Sequence, residues 1–203
     1  MFKEKLHKKL AAALEKHGMP EPTLLQRQCL PKINSGTDAV ISAPSGSGKS
    51  SLIAISAVHK LQHAFEDAPR ALVLVASMDK AKAMKELFMQ LAEDTDLRTV
   101  AAFDEGKLEE QNRDIYFGTD LVIGTPRRVL ELYLTRNLNL NKLKLFAIDD
   151  AGLMVKNSWQ GQIDRLGLSL PKCQRLFFTT ELNEKVQKLV DKFTNTPQVI
   201  ELD

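Results

Sequence analysis

The segment Ala43-Pro44-Ser45-Gly46-Ser47-Gly48-Lys49-Ser50 constrains the fold of this chain more than any other stretch, because an apolar run, Asp38 to Ser42, precedes it and an apolar-periodic segment from Leu52 follows. That order reads as strand, phosphate loop, helix. Glycines let successive backbone N–H groups turn inward around phosphate oxygens, and the start of the helix adds the positive end of a dipole. Lys49 is placed to hold the outer phosphates and Ser50 to offer its hydroxyl to Mg2+. The general pattern asks for Gly where this chain has Ala43. A plain Gly/Ser turn would leave unexplained a lysine after the second glycine with a hydroxyl residue beside it.

The rest of the chain places that loop in a layered α/β fold. Near-continuous apolar runs at Ala39 to Ser42, Ala71 to Val75, Thr99 to Ala102, Leu121 to Ile123, Leu145 to Ile148, Arg175 to Phe178 and Val199 to Leu202 are strand candidates. Helical patterns such as Ala81 to Leu91, Pro126 to Tyr133 and Glu184 to Phe193 alternate with them. Strands apolar on both faces and separated by helices predict a three-layer domain with a mainly parallel sheet of about seven strands. Phe2, Leu6, Leu10 and Leu14, with Gly18 as a stop, predict a further amphipathic helix over residues 2–17. The polar stretch Asp104 to Asp120 reads as a long, mobile connection. In such sheets ligands sit outside the carboxyl ends of the strands, where the phosphate loop, Asp149-Asp150 and Thr179-Thr180 all fall.

With 203 residues, the chain fits one domain that buries roughly 70% of its unfolded surface. Lys plus Arg is 28 against 26 for Asp plus Glu, so a nucleic-acid contact would have to come from a local patch. Cys29 and Cys173 are too far apart in sequence to suggest a disulfide scaffold or a zinc site. Residues 1–9 have no signal-peptide core, and no run approaches the ~18 apolar residues of a membrane span. A soluble, cytoplasmic protein is expected, and the initial Met1 favours a short chain complete at Asp203.

Asp149 and Asp150 follow the Leu145 to Ile148 run, where nucleotide-hydrolysing folds put a carboxylate that orders Mg2+ and a neighbour that positions water. We take Asp149 as the metal residue and Asp150 as the water-orienting one, although acids after a strand also serve as turn formers and helix caps. His59 and His63 have a chelating spacing but no third ligand near in sequence. Trp159, Phe177 and Phe178 read as core rather than as base-stacking platforms, and Lys142, Lys144, Lys185 and Lys188 as solvated faces.

From about Phe2 to the carboxyl terminus the chain resembles the first RecA-like domain of DEAD-box RNA helicases. Gly18-Met19-Pro20-Glu21-Pro22-Thr23-Leu24-Leu25-Gln26 is similar to the Q motif, whose glutamine reads the adenine edge, with Phe2 near the place of the upstream aromatic. The resemblance therefore implies ATP rather than GTP, held by Gln26, Ser45, Gly46, Ser47, Gly48, Lys49, Ser50 and Ser51. It also removes the difficulty of Ala43, since the phosphate loop of this family begins with alanine. Lys49, Asp149 and Asp150 become the catalytic set, and Ser50 with Asp149 the Mg2+ ligands. Ile123-Gly124-Thr125-Pro126-Arg127-Arg128 resembles the Thr-Pro-Gly-Arg element that contacts the RNA backbone, so Thr125, Pro126 and Arg128 are its matching residues, and Arg127 stands where glycine is usual.

Other motifs have drifted. The Asp-Glu-Ala-Asp signature reads Asp149-Asp150-Ala151-Gly152. Asp150 shortens the reach by about one methylene, and a ~1 Å misplacement can cost on the order of 100-fold in rate. Gly152 lacks the carboxylate that links nucleotide state to the Ser-Ala-Thr element, which is here Thr179-Thr180-Glu181. The Pro-Thr-Arg-Glu-Leu-Ala element corresponds to Ala76-Ser77-Met78-Asp79-Lys80-Ala81, with no arginine and an added acid, and the Gly-Gly element is reduced to Asp104-Glu105-Gly106. Acids facing phosphates predict weak, salt-sensitive RNA binding. No counterpart of the second RecA-like domain is read in residues 1–203, and its arginines can contribute roughly 1,000-fold in phosphoryl transfer.

Three readings stay open. One is an ATP-dependent RNA-binding protein with slow residual hydrolysis and no unwinding of its own. Another is a non-enzymatic nucleotide-binding or structural module that docks a partner protein, perhaps one supplying a second RecA-like half. The third and weakest is a small P-loop kinase, since a lid and acceptor pocket are not evident.

Overall fold

In the computed structural model, which describes residues 6–202, seven strands form one parallel sheet. They are β1 (Ala39–Ser42), β2 (Ala71–Leu74), β3 (Thr99–Ala102), β4 (Leu121–Gly124), β5 (Leu145–Ile148), β6 (Gln174–Thr179) and β7 (Gln198–Glu201). Their order across the sheet is β3-β4-β2-β5-β6-β1-β7, with every neighbouring pair parallel. The strands thus match the sequence expectation within a residue or two at their ends.

Alternation along each strand assigns its side chains to two cores. Ala39, Ile41, Ala71 and Val73 face one side and pack with α1 (Lys8–Lys16), α2 (Leu24–Asn34), α3 (Lys49–Leu61) and α4 (Met78–Leu91). Val40, Leu72, Leu74 and Phe146 face the other. There they meet α5 (Leu108–Tyr116), α6 (Pro126–Leu134), α7 (Ala151–Lys156), α8 (Gln160–Gly167) and α9 (Glu184–Asp191). Both faces of β1, β2, β4 and β5 are fully buried, which is why their sequences read as unbroken apolar runs. β7 lies at an edge and buries only Ile200. Phe177 and Phe178 are core residues and Trp159 packs against the second core.

Local chemistry sets the helix starts. Thr23 and Gln26 form a capping box at α2, Ser77 accepts from Lys80 N at α4, Asn183 accepts from Val186 N at α9, and Pro126 occupies the first turn of α6. The predicted helix over 2–17 is observed as Lys8–Lys16, and Phe2 lies outside the described residues.

Asp104 to Asp120 is not one long connection. Its centre is α5, with Glu109 and Glu110 in the first turn complementing the dipole and with Gln111 and Ile115 buried. Among the described residues no helix is long and apolar enough to cross a membrane.

Candidate functional site

The phosphate loop leaves β1 at the carboxyl edge of the sheet. Ala43 N donates to Thr179 O at 3.1 Å, which ties the start of the loop to the end of β6. Gly46 and Gly48 both have left-handed backbone, at φ +82° and +96°. At Gly48 a Cβ would also sit 3.2 Å from Ser51 Oγ and 3.3 Å from Thr23 Oγ1, so this turn combines conformation and close approach. Ser47 Oγ is buried and has no hydrogen-bond partner among the described residues.

Lys49 is buried at the first position of α3, and its Nζ donates to the carbonyls of Ala43 (2.5 Å) and Pro44 (2.7 Å). Burial lowers its pKa, against the pull of the Asp150 and Asp149 carboxylates. Ser50 Oγ donates to Asp149 Oδ2 at 3.2 Å across 99 residues of sequence. Asp149 is only 5% exposed, and burial raises its pKa while the Lys80 ammonium and the Ser50 hydroxyl oppose that rise. Hard oxygen donors and a cation thus meet at one edge of the sheet, beside an orphaned hydroxyl. This donor set fits a Mg2+-bound phosphate chain.

Gln26 is buried beneath the loop. Its Oε1 accepts from Thr23 N (3.1 Å) and its Nε2 donates to Ser51 Oγ (3.0 Å), while Ser51 Oγ donates to Gly48 O (2.9 Å). The glutamine therefore couples the start of α2 to the glycine that opens α3. Ser45 and Gly46 lie exposed at the tip of the loop.

Asp150 has left-handed backbone, φ +67°, and its Oδ1 accepts from Leu153 N at 3.1 Å as the cap of α7. One carboxylate oxygen is thus engaged by the helix it starts. Gly152 lies close to the third element: a Cβ there would be 3.1 Å from Thr179 Oγ1. That hydroxyl donates instead to Glu181 O (2.8 Å).

Thr125, Pro126 and Arg128 lie together where β4 ends and α6 begins, and all three are buried. Thr125 Oγ1 donates to Asp104 Oδ2 at 3.0 Å. Arg128 donates to Gly106 O, Gln111 Oε1 and Asp104 O, each at 2.9 Å, and its Nε lies 3.0 Å from Glu131. The guanidinium acts as a strut for residues 104–111, while Arg127 beside it is exposed, 4.0 Å from Asp104. Gly124 is sterically required, because a Cβ there would be 2.5 Å from Ala102 O.

Sequence reading missed Lys80 as a member of the phosphate-loop edge. It stands in the first turn of α4, close enough to bias the ionisation of both Asp149 and Lys49. Its place just past the carboxyl end of β2 was the available signal.

A seven-stranded parallel sheet with the phosphate loop after β1 and paired aspartates after β5 defines a RecA-like P-loop domain. The sequence profile of the DEAD/DEAH box helicase family matches residues 23–189, and the chain belongs to that family. It is 27% identical over 194 residues to the ATP-dependent RNA helicase eIF4A of Eremothecium gossypii, covering 95% of this chain and 49% of the relative. With the ATP-dependent RNA helicase DBP10 of Saccharomyces cerevisiae it shares 31% identity over 192 residues, 94% of this chain and 19% of that protein. The chain thus spans about half of one relative and a fifth of the other. In structure it is similar to a DEAD box protein from Methanococcus jannaschii, with a TM-score of 0.92 at 21% identity over 98% of this chain and 55% of that one.

Proposed function

We propose that this chain is an ATP-binding and RNA-binding domain of DEAD-box type whose hydrolysis is weak and which does not unwind RNA on its own. The single observation that carries ATP binding is the phosphate-loop edge. There the Ser50–Asp149 contact, the buried Lys49 and the unpartnered Ser47 hydroxyl converge. In this reading the backbone N–H groups from Ser45 to Ser51 hold the phosphates, Lys49 neutralises the outer ones, and Gln26 selects adenine. Ser50 and Asp149 would hold Mg2+, which would supply electrostatic stabilisation of the transferring phosphate. Asp150 orients water, and its capping bond to Leu153 N together with its short side chain makes that step slow.

Thr125, Pro126 and Arg128 form the RNA-backbone element, with Arg128 shaping it by bracing residues 104–111. Affinity is weak because Asp104 already takes the Thr125 hydroxyl. Residues 1–203 act as one RecA-like unit, and phosphoryl transfer would draw on a second such unit. A cytoplasmic location rests on the free Cys29 and Cys173 thiols.

The engagement of Asp150 in the α7 cap favours a second reading, a nucleotide-binding module without turnover that docks a partner protein. One solved structure similar to this chain, Saccharomyces cerevisiae dbp5 with a TM-score of 0.85 at 20% identity, is described as bound to nup159, gle1, ip6 and adp. Calorimetric titration with Mg-ATP and Mg-ADP, on the native chain and on Lys49→Ala, tests the common core of both readings. Binding that the substitution abolishes is the expected result, and equal affinity in the variant refutes the site. ATP turnover with and without single-stranded RNA then separates the two, since stimulation requires the first.

A further inference from the structure

The amino edge of the sheet, opposite the phosphate loop, carries a cavity of about 600 Å3 that the reading above leaves unused. Asp38, Lys144 and Cys173 each stand one residue before β1, β5 and β6, three neighbouring strands, and Lys60 reaches the same place from the last turn of α3. Lys172 and Arg175 complete the wall.

Four cations and one carboxylate give the lining a formal charge of +4 − 1 = +3. Among the described residues Lys60, Lys144 and Lys172 have no acidic partner. The Arg175 guanidinium donates to Phe193 O, and the Asp38 carboxylate is engaged by Arg175 N. Behind the lining, Arg175 Nε and Gln174 Oε1 are buried and have no hydrogen-bond partner among the described residues. Gln174 itself is 6% exposed, and its Nε2 is fixed by Ile33 O (2.8 Å) and Thr37 O (2.7 Å). Burial and the nearby Lys144 charge both disfavour the Lys60 ammonium, a repulsion that a bound anion would relieve.

We propose that this cavity binds a small phosphate ester. Its phosphate would be held by Lys60, Lys144, Lys172 and Arg175, and its organic part would lie over Leu143. A volume in the range of small-molecule sites suits an ester rather than a bare ion, and ligand pockets commonly span ~300–1,000 Å3. The lining has no aromatic side chain, whereas single-stranded RNA grooves pair cations with stacking rings. The site is separate from the phosphate loop, so it stands or falls independently of the function proposed above.

Cys173 supplies the assay. It is half-buried in the cavity wall, whereas Cys29, the other cysteine, is fully buried; burial raises both thiols, that of Cys29 to about 11, and only Cys173 is accessible to the reagent. Alkylation of the native chain by neutral iodoacetamide therefore reads Cys173. Ribose 5-phosphate is expected to slow that reaction saturably, by about fivefold when present at about four times its dissociation constant. The double variant Lys144→Ala/Lys172→Ala, altered at two exposed lysines, is expected to lose the protection, and Lys49→Ala to retain it.

Equal protection by sulfate at the same ionic strength overturns the proposal, as does protection that survives the double variant. Loss of protection in Lys49→Ala would trace the effect to the phosphate loop and overturn it too. Protection by a short RNA but not by ribose 5-phosphate would replace it with a nucleic-acid contact.

Discussion

Asp104 Oδ2 accepts the hydroxyl of Thr125 at 3.0 Å, and Asp104 Oδ1 lies 4.0 Å from the Arg127 guanidinium. A carboxylate thus occupies the donors of the element that resembles an RNA-backbone contact, much as a phosphate oxygen would. Asp104→Asn keeps an acceptor for Thr125 while removing the charge. Affinity for single-stranded RNA at low salt should rise about threefold to tenfold, the scale of one rim charge, with a steeper salt dependence. Fluorescence anisotropy over a salt series measures both, and unchanged affinity would show that the Asp104 charge does not oppose RNA.

Asp150 caps α7, and in the proposed mechanism the same short side chain would also orient water. Asp150→Glu removes a short cap at Leu153 N, which should lower stability by about 1 kcal/mol. The longer carboxylate should raise ATP turnover by on the order of tenfold if reach alone limits hydrolysis. A coupled ATPase assay beside thermal melting distinguishes the outcomes. Lower stability with no gain in rate would show that the reach of Asp150 does not limit turnover.

The buried Asp120 should contribute to acid stability. Its Oδ1 accepts from Arg70 (2.7 Å) and Phe65 N (3.0 Å), and its Oδ2 from Arg98 Nε and Arg98 N (3.0 Å each). Burial alone would push this carboxyl up, but those four bonds prevail and hold it below its ordinary value of 3.8. A depressed carboxylate pKa stabilises the fold above 3.8 and loses that contribution as pH falls through the native value. Urea unfolding should therefore show a steep loss of stability below that pH, and Asp120→Asn should remove this dependence. At neutral pH the same substitution should cost about 3–5 kcal/mol, because it leaves Arg70 buried without its partner. An unchanged acid profile in the variant would assign the transition to other carboxylates.

The strands and the phosphate loop were legible because burial on both faces writes unbroken apolar runs, and because Gly46 and Gly48 need left-handed backbone. α5 was not, since its Leu108 and Ile115 are too few to mark an apolar face and its buried Gln111 is polar. Its order comes from tertiary bonds, Gln111 to Phe103 O and Arg128 to Gln111, that no local pattern announces. Sequence offers Arg128 only as part of the element resembling an RNA-backbone contact, and its bonds to residues 104–111 appear only in the fold. Lys144 is exposed, as the sequence reading expects, and only the adjacency of β5, β6 and β1 places it with Lys60 and Arg175.

Gln26 carries the last prediction. Its Oε1 completes the α2 capping box and its Nε2 reaches Ser51, so the adenine recognition proposed for it would share one side chain with the geometry of the phosphate loop. Gln26→Glu preserves the acceptor for Thr23 N and removes the donor. Stability should fall by about 1–3 kcal/mol: the cap survives, but a carboxylate replaces an amide at a buried site. The preference for ATP over GTP should shrink by about tenfold, the worth of one hydrogen bond at a site that otherwise leaves a buried polar group unpaired. Parallel titrations with the two nucleotides measure the ratio. If the ratio is unchanged while both affinities fall together, Gln26 acts on the loop through Ser51 and not on the base.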